Sequence, residues 1–157
     1  MKWKNDERKE LLLEVMPRAD LASHFGGDLD EKKAQMAPIP WVFVIQKKPE
    51  REAAAAFRWR LSDYHDPVPV LLENLELHGE AIAQQMKVAL FNEGLTEPEA
   101  TALLRTFERD FFATPGVRVI SILPRCVYDW ALPLKISPKP GEIVRVGLIW
   151  KECGSGQ

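Results

Sequence analysis

A chain of 157 residues, 46% hydrophobic and 28% charged, is long enough for one domain with a buried core and too apolar to be wholly disordered. Its 21 Lys and Arg against 23 Asp and Glu give a formal net charge of -2, so no basic excess draws it to a phosphate backbone, and nucleic acid is not an expected partner. Its two cysteines, Cys126 and Cys153, are too few for a disulfide framework and form no C-x-x-C pair; they read as free thiols in a reducing compartment, with a bridge between them as the alternative.

The first eight residues, Met1 to Arg8, are densely charged, and the run Leu11-Leu12-Leu13 is far too short for a signal-peptide core or a membrane span. A soluble, cytoplasmic protein with no membrane partner is the expectation. Residues 6–16 read as a short amphipathic helix with Leu11, Leu12, Val15 and Met16 to one side, stopped by Pro17. Residues 18–40 are polar and punctuated by Gly26-Gly27, Pro38 and Pro40, which predicts mobile loop with single helical turns near 20–24 and 30–36. The chain thus divides into an N-terminal helix and loop over 1–40, an α+β domain over 41–152 and a flexible tail over 153–157.

Trp41 to Ile45 is β-branched and aromatic, bounded by Pro40 and Pro49, and predicts a strand either buried on both faces or covered on one face by a helix. Residues 50–61 carry opposed signals. Ala53 to Ala56 favour helix by propensity, while Phe57-Arg58-Trp59-Arg60-Leu61 alternates like a strand; a hairpin returning against 41–46 is the reading adopted. Asp66-Pro67 and Pro69 make 62–69 a connector. From Val70, the residues Leu71, Leu75, Ile82, Met86, Ala89 and Leu90 recur at helical spacing and predict a helix of about five to six turns, weakened at Gly79 and closed by Gly94. Thr96 and Glu99 form a capping box for a second helix with the stripe Ala100, Leu103, Leu104, Phe107 and Phe111. The short connection makes the two helices an antiparallel hairpin, which Pro115-Gly116 ends.

Val117 to Leu123 and Ile143 to Trp150 read as strands. Pro124, Pro133, Pro138 and Pro140 between them predict an extended crossing with one helical turn at 126–130. The expected fold is α+β: a small antiparallel sheet of 41–46, 117–123 and 143–150, packed on its apolar face by the helical hairpin.

Common chemistries find little footing. His24, His65 and His78 lie far apart, and neither Asp63-x-His65-Asp66 nor Glu76-x-His78-x-Glu80 has zinc-ligand spacing, so both read as solvated polar clusters and no metal or cofactor is expected. No G-x-S-x-G, P-loop or dinucleotide fingerprint occurs. The set that stands out is Arg118, Asp129 and Arg145. Two arginines on strands amid apolar residues need partners, and Asp129 in the crossing is the candidate. The set reads first as an ion-pair clasp pinning the crossing to the sheet, and second as an anion site.

The residues Gly94-Leu95-Thr96, Glu99-Ala100, Phe107-Glu108-x-x-Phe111, Gly116-x-Arg118, Ile122-Leu123-Pro124, Asp129-x-x-Leu132-Pro133-Leu134-x-Ile136-x-Pro138-x-Pro140 and Val144-Arg145-Val146 together resemble the C-terminal region of a family of uncharacterised bacterial proteins. The resemblance covers residues 70–152. It departs at Ser121, where the family carries an aromatic, and at Ile149-Trp150, where it carries Gly-Arg. The resemblance implies a bacterial origin and a recurring module, without a mechanism. The functional expectation is a non-catalytic protein-interaction or accessory domain, partnered by another protein or by its own copies, with Trp41, Trp59, Trp130 and Trp150 as interface candidates. The alternative is a small enzyme with an Arg-lined anion site that uses Cys126 or His65.

Overall fold

The computed structural model describes residues 10–13, 41–57, 68–123 and 125–153. Its strands are β1 (Glu10–Leu13), β2 (Val42–Lys48), β3 (Arg51–Phe57), β4 (Val68–Leu71), β5 (Leu77–His78), β6 (Gly116–Leu123) and β7 (Gly147–Glu152). Its helices are α1 (Glu80–Asn92), α2 (Glu97–Thr106) and α3 (Arg125–Ala131), with a π-helical turn at Arg109–Ala113. Five strands form an antiparallel sheet in the order β5-β3-β2-β6-β7, and β1 pairs with β4 in a separate two-stranded sheet. The fold is α+β, as its pattern of elements predicts.

The hairpin of β2 and β3 turns at Pro49-Glu50, in register from Val42↔Phe57 to Lys48↔Arg51. Strand wins over the helix propensity of Ala53 to Ala56 because β2 supplies a partner along the whole length of β3, and pairing overrides a weak intrinsic preference. On the other side β2 pairs with β6, placing Phe43 beside Ile120 and Ile45 beside Arg118.

Two predicted helices are corrected. Residues 10–13, expected inside a helix over 6–16, form β1, with Leu11 opposite Val70 and Leu13 opposite Val68. Three adjacent leucines have no period of their own, so the partner strand decides their conformation. The long helix expected from Leu71 begins only at Glu80. Gly79 is its N-cap, at φ 55, and not a weak point in mid-course. A positive φ there is cheap only for glycine and turns the chain sharply out of β5, whose Leu77 and His78 pair with Ala54 and Ala53. Leu71 lies in β4, and Glu76 precedes the helix altogether.

The end of α1 follows the sequence. Gly94, at φ 100, donates its N–H to the Phe91 carbonyl, and Leu95 donates to the Leu90 carbonyl. These two bonds close the helix in a Schellman motif. Glu99 then accepts from the Thr96 N–H at 2.8 Å and from the Thr96 hydroxyl at 2.6 Å, opening α2. Both bonds favour the charged carboxylate, hydroxyl first, and hold the Glu99 carboxyl below its ordinary value.

The helical hairpin lies on one face of the sheet. Ile82, Met86, Ala89 and Leu90 of α1, with Ala100 and Leu104 of α2, join Phe43, Ile45, Ala54, Ile120 and Ile122 in one core cluster. Phe111 belongs to it, stacked on Phe107 with ring centroids 5.2 Å apart. The alternate residues Val42, Val44, Val117 and Val119 point to the opposite face and are buried as well. The sheet centre is therefore buried on both sides, the first of the two arrangements that the unbroken apolar run of β2 allows.

Candidate functional site

The segment from β6 to β7 carries Arg118, Asp129 and Arg145. Helix α3 connects the two strands in the chain, and Tyr128 on it packs against β7 at Gly147. A Cβ at Gly147 would stand 2.7 Å from Tyr128 Cδ2, so glycine is what allows the ring to lie there. The Arg145 guanidinium then lies over the same ring, 4.6 Å from its centroid.

Asp129, one residue beyond Tyr128, is the hub of a clasp. Its Oδ1 accepts from Arg145 Nη1 at 2.9 Å, and its Oδ2 accepts from Arg125 Nε at 3.4 Å. Each arginine spends a further donor on a backbone carbonyl: Arg145 Nη2 on Leu132 at 2.6 Å, and Arg125 Nη2 on Ile143 at 2.7 Å. Those carbonyls flank the stretch 133–142. The clasp therefore fastens both ends of a proline-containing loop to one helix, the closed-neck arrangement of an Ω-loop. Asp129 is only half-exposed and the Arg145 side chain is 16% exposed, so the Arg145 arm is the better shielded; the Arg125 arm, at 60%, is a surface pair.

Arg118 stands apart from this clasp. The register places it between Ile45 and Glu152 on the helix-bearing face of the sheet, where it is fully buried. Its Nη1 donates to the Phe111 carbonyl at 3.4 Å and its Nη2 to the Pro115 carbonyl at 3.3 Å. In a continuing α-helix the Phe111 carbonyl would be met by the N–H of residue 115, but proline has none. Arg118 supplies the missing donor and ties the end of the π-helical turn to β6. Among the described residues it pairs with the Glu152 carboxylate at 3.8 Å, and its Nε finds no hydrogen-bond acceptor. Of the three residues singled out in the sequence, the structure thus brings Asp129 and Arg145 together and gives Arg118 a different acid.

Three participants escape the sequence reading: Arg125, Tyr128 and Glu152. The four-residue spacing of Arg125 and Asp129 is a usable helical signal. The Arg118↔Glu152 pairing depends on strand register, which no local pattern contains.

The same segment exposes large apolar side chains. Leu132 (57%), Leu134 (50%) and Ile136 (46%) stand on the clasped loop, with Val144 beyond it and Ile149 and Trp150 on β7. Trp150 meets Phe111 edge-on, centroids 6.2 Å apart, yet keeps 39% of its surface in solvent. Cys153 is a buried free thiol whose N–H bonds the Val117 carbonyl, and burial pushes its pKa up, away from nucleophilic thiolate. His65 and the side chain of Cys126, named for the enzymatic alternative, lie outside the described residues, as do residues 18–40, the tail 154–157, Trp59 and the side chain of Trp130. Among the described residues, no cluster of three or more His, Cys, Asp or Glu is placed to hold a metal ion, and no helix is long and apolar enough to cross a membrane. No protein-family model, curated protein or solved structure matches the chain.

Proposed function

We propose that the chain is a non-catalytic protein-interaction module acting in the cytoplasm, and that residues 70–152 are the recurring unit of the bacterial family it resembles. One observation carries this reading. Among the described residues, six of the nine exposed large apolar side chains fall within residues 132–150: Leu132, Leu134, Ile136, Val144, Ile149 and Trp150. Scattered exposed apolar residues are ordinary, but such a concentration in one stretch of chain, three of them on a single clasped loop, supports a role in partner binding. The clasp supports the same reading. Holding both ends of the loop orders Leu132, Leu134 and Ile136 before any partner arrives and lowers the entropy cost of binding. The anion-site alternative draws less support, because the donors of Arg125 and Arg145 are engaged by Asp129 and by carbonyls.

A photo-crosslinking residue introduced at Leu134, and in a control at the exposed Ala102 of α2, tests the reading in cells expressing the full chain. Discrete protein adducts from position 134 and none from 102 are the expected result. No adduct at 134, or equal labelling at both positions, overturns it.

A further inference from the structure

All eight residues of 132–139 are exposed, although both roots of their loop are tied down. Successive side chains of an irregular chain point to different sides, so a run exposed at every position has neither side laid on the domain. The loop therefore stands out as a ridge. Arg145 holds one root at the Leu132 carbonyl and Arg125 the other at the Ile143 carbonyl. Pro133, Pro138 and Pro140 fix their own φ and bar helix between the roots.

A ridge fits a groove, and its charges say what kind. Lys135 and Lys139 are the only charged side chains between Asp129 and Glu142, so the ridge is cationic in a chain of net charge -2. Lys135 stands near the middle of the run, between Leu134 and Ile136, which are 50% and 46% exposed. An accessible peptide bond after a lysine, with aliphatic side chains for the neighbouring subsites, complements an endopeptidase whose primary pocket carries a carboxylate. Lys139 offers no equivalent bond, because Pro140 follows it and has no N–H.

We propose that this loop enters the substrate groove of a serine endopeptidase of lysine and arginine specificity and inhibits it. The Lys135 ammonium fills the primary pocket, and Leu134 and Ile136 fill the subsites on either side. The inference rests on the interaction reading and names the partner of the same loop. The clasp makes the loop an inhibitor and not a substrate. A flexible peptide loses its freedom on entering the groove, whereas a clasped loop has lost much of it on folding and binds more tightly. In the groove the serine hydroxyl attacks the Lys135 carbonyl carbon, the Lys135–Ile136 bond breaks, and the Ile136 nitrogen leaves with the proton of the hydroxyl. From a flexible substrate that amine diffuses away, and water hydrolyses the ester. Here both roots stay fastened to α3, through Arg125 and through the Asp129–Arg145 pair. The amine is kept beside the ester, so the reverse attack, which re-forms the peptide bond and returns the proton to the serine, competes with water.

The test uses the full chain with trypsin as the probe and a small chromogenic lysine substrate as the readout. Inhibition should appear below about 1 μM, the low end of ordinary substrate KM values, which mere competition by a cleavable loop does not reach. Lys135→Ala, at an exposed position, should weaken inhibition by about hundredfold or more, because it leaves the pocket carboxylate unpaired, while Lys139→Ala should change it by less than about threefold. Lys135→Phe should lose trypsin and gain chymotrypsin, whose primary pocket is apolar, a switch that a misfolded variant cannot produce. Arg145→Ala should lose inhibition and be cut after Lys135 about tenfold faster or more, as N-terminal sequencing of the products would show. Absence of inhibition by the unsubstituted chain overturns the inference. So does inhibition that survives Lys135→Ala, or rapid cutting after Lys135 without inhibition. Adducts from position 134 to a protein without peptidase activity, alongside absent inhibition, leave the interaction reading standing and remove this partner; loss of both results removes both.

Discussion

Arg118 replaces an N–H that Pro115 lacks, whereas Arg145 closes a loop at the surface, and truncating each should have a different cost. Arg118→Ala removes a fully buried side chain, leaves a cavity, and strips the Phe111 and Pro115 carbonyls of their donor. The expected loss of unfolding free energy is about 3 kcal/mol or more. Arg118→Met keeps most of the volume and removes a poorly paired buried charge, so it should be milder. Glu152→Gln should change stability by less than about 1 kcal/mol, because the ion pair spans 3.8 Å to an acid that is 60% exposed. Arg145→Ala should cost about 1–2 kcal/mol, because it removes one shielded charge-assisted bond, one bond to a carbonyl and the stacking of the guanidinium on the Tyr128 ring. Urea denaturation of the four variants orders these effects. If Arg118→Ala proves no more damaging than Glu152→Gln, the bracing role assigned to Arg118 is wrong. At this scale the sequence shows that two arginines among apolar residues need partners. Which acid each one takes depends on where β7 lies against β6, and that is a non-local fact.

Elements bounded by strong local chemistry are legible in the sequence, and those bounded by a distant partner are not. The Thr96–Glu99 box, Gly94 past the end of α1 and Pro115-Gly116 before β6 each act within a few residues, and each marks a real boundary. The helix drawn through Leu71 and Leu75 fails because β1 and β3 claim residues 68–71 and 77–78, and because Gly79 resolves the turn between them. Strand β7 begins at Gly147, four residues later than its apolar pattern suggests, because Arg145 turns aside to Asp129 and Tyr128. Gly147 offers the sharpest test at this scale. In Gly147→Ala the new methyl meets Tyr128 and Leu123 at 2.7 and 3.1 Å, so ring, helix or strand must move. The expected loss is about 1–3 kcal/mol. Tyr128→Ala in the same chain should recover part of it, and a thermodynamic cycle over the four proteins measures the coupling. Additive losses would mean that Tyr128 does not occupy the space above Gly147.

Across the whole molecule, order should grade from the middle of the sheet to its edges. β2 and β6 are paired on both sides and buried on both faces, while β5 and β7 have one neighbour each among the described strands. Amides open locally where little buried apolar surface holds them and only globally at the centre. Hydrogen exchange at low concentration should therefore be slowest for Phe43, Val44, Ile45, Val119 and Ile120, and much faster along β7. Arg145→Ala frees one end of the loop and should speed exchange at 132–146 while leaving the centre of β2 unchanged, because no residue of the clasp belongs to the main core cluster.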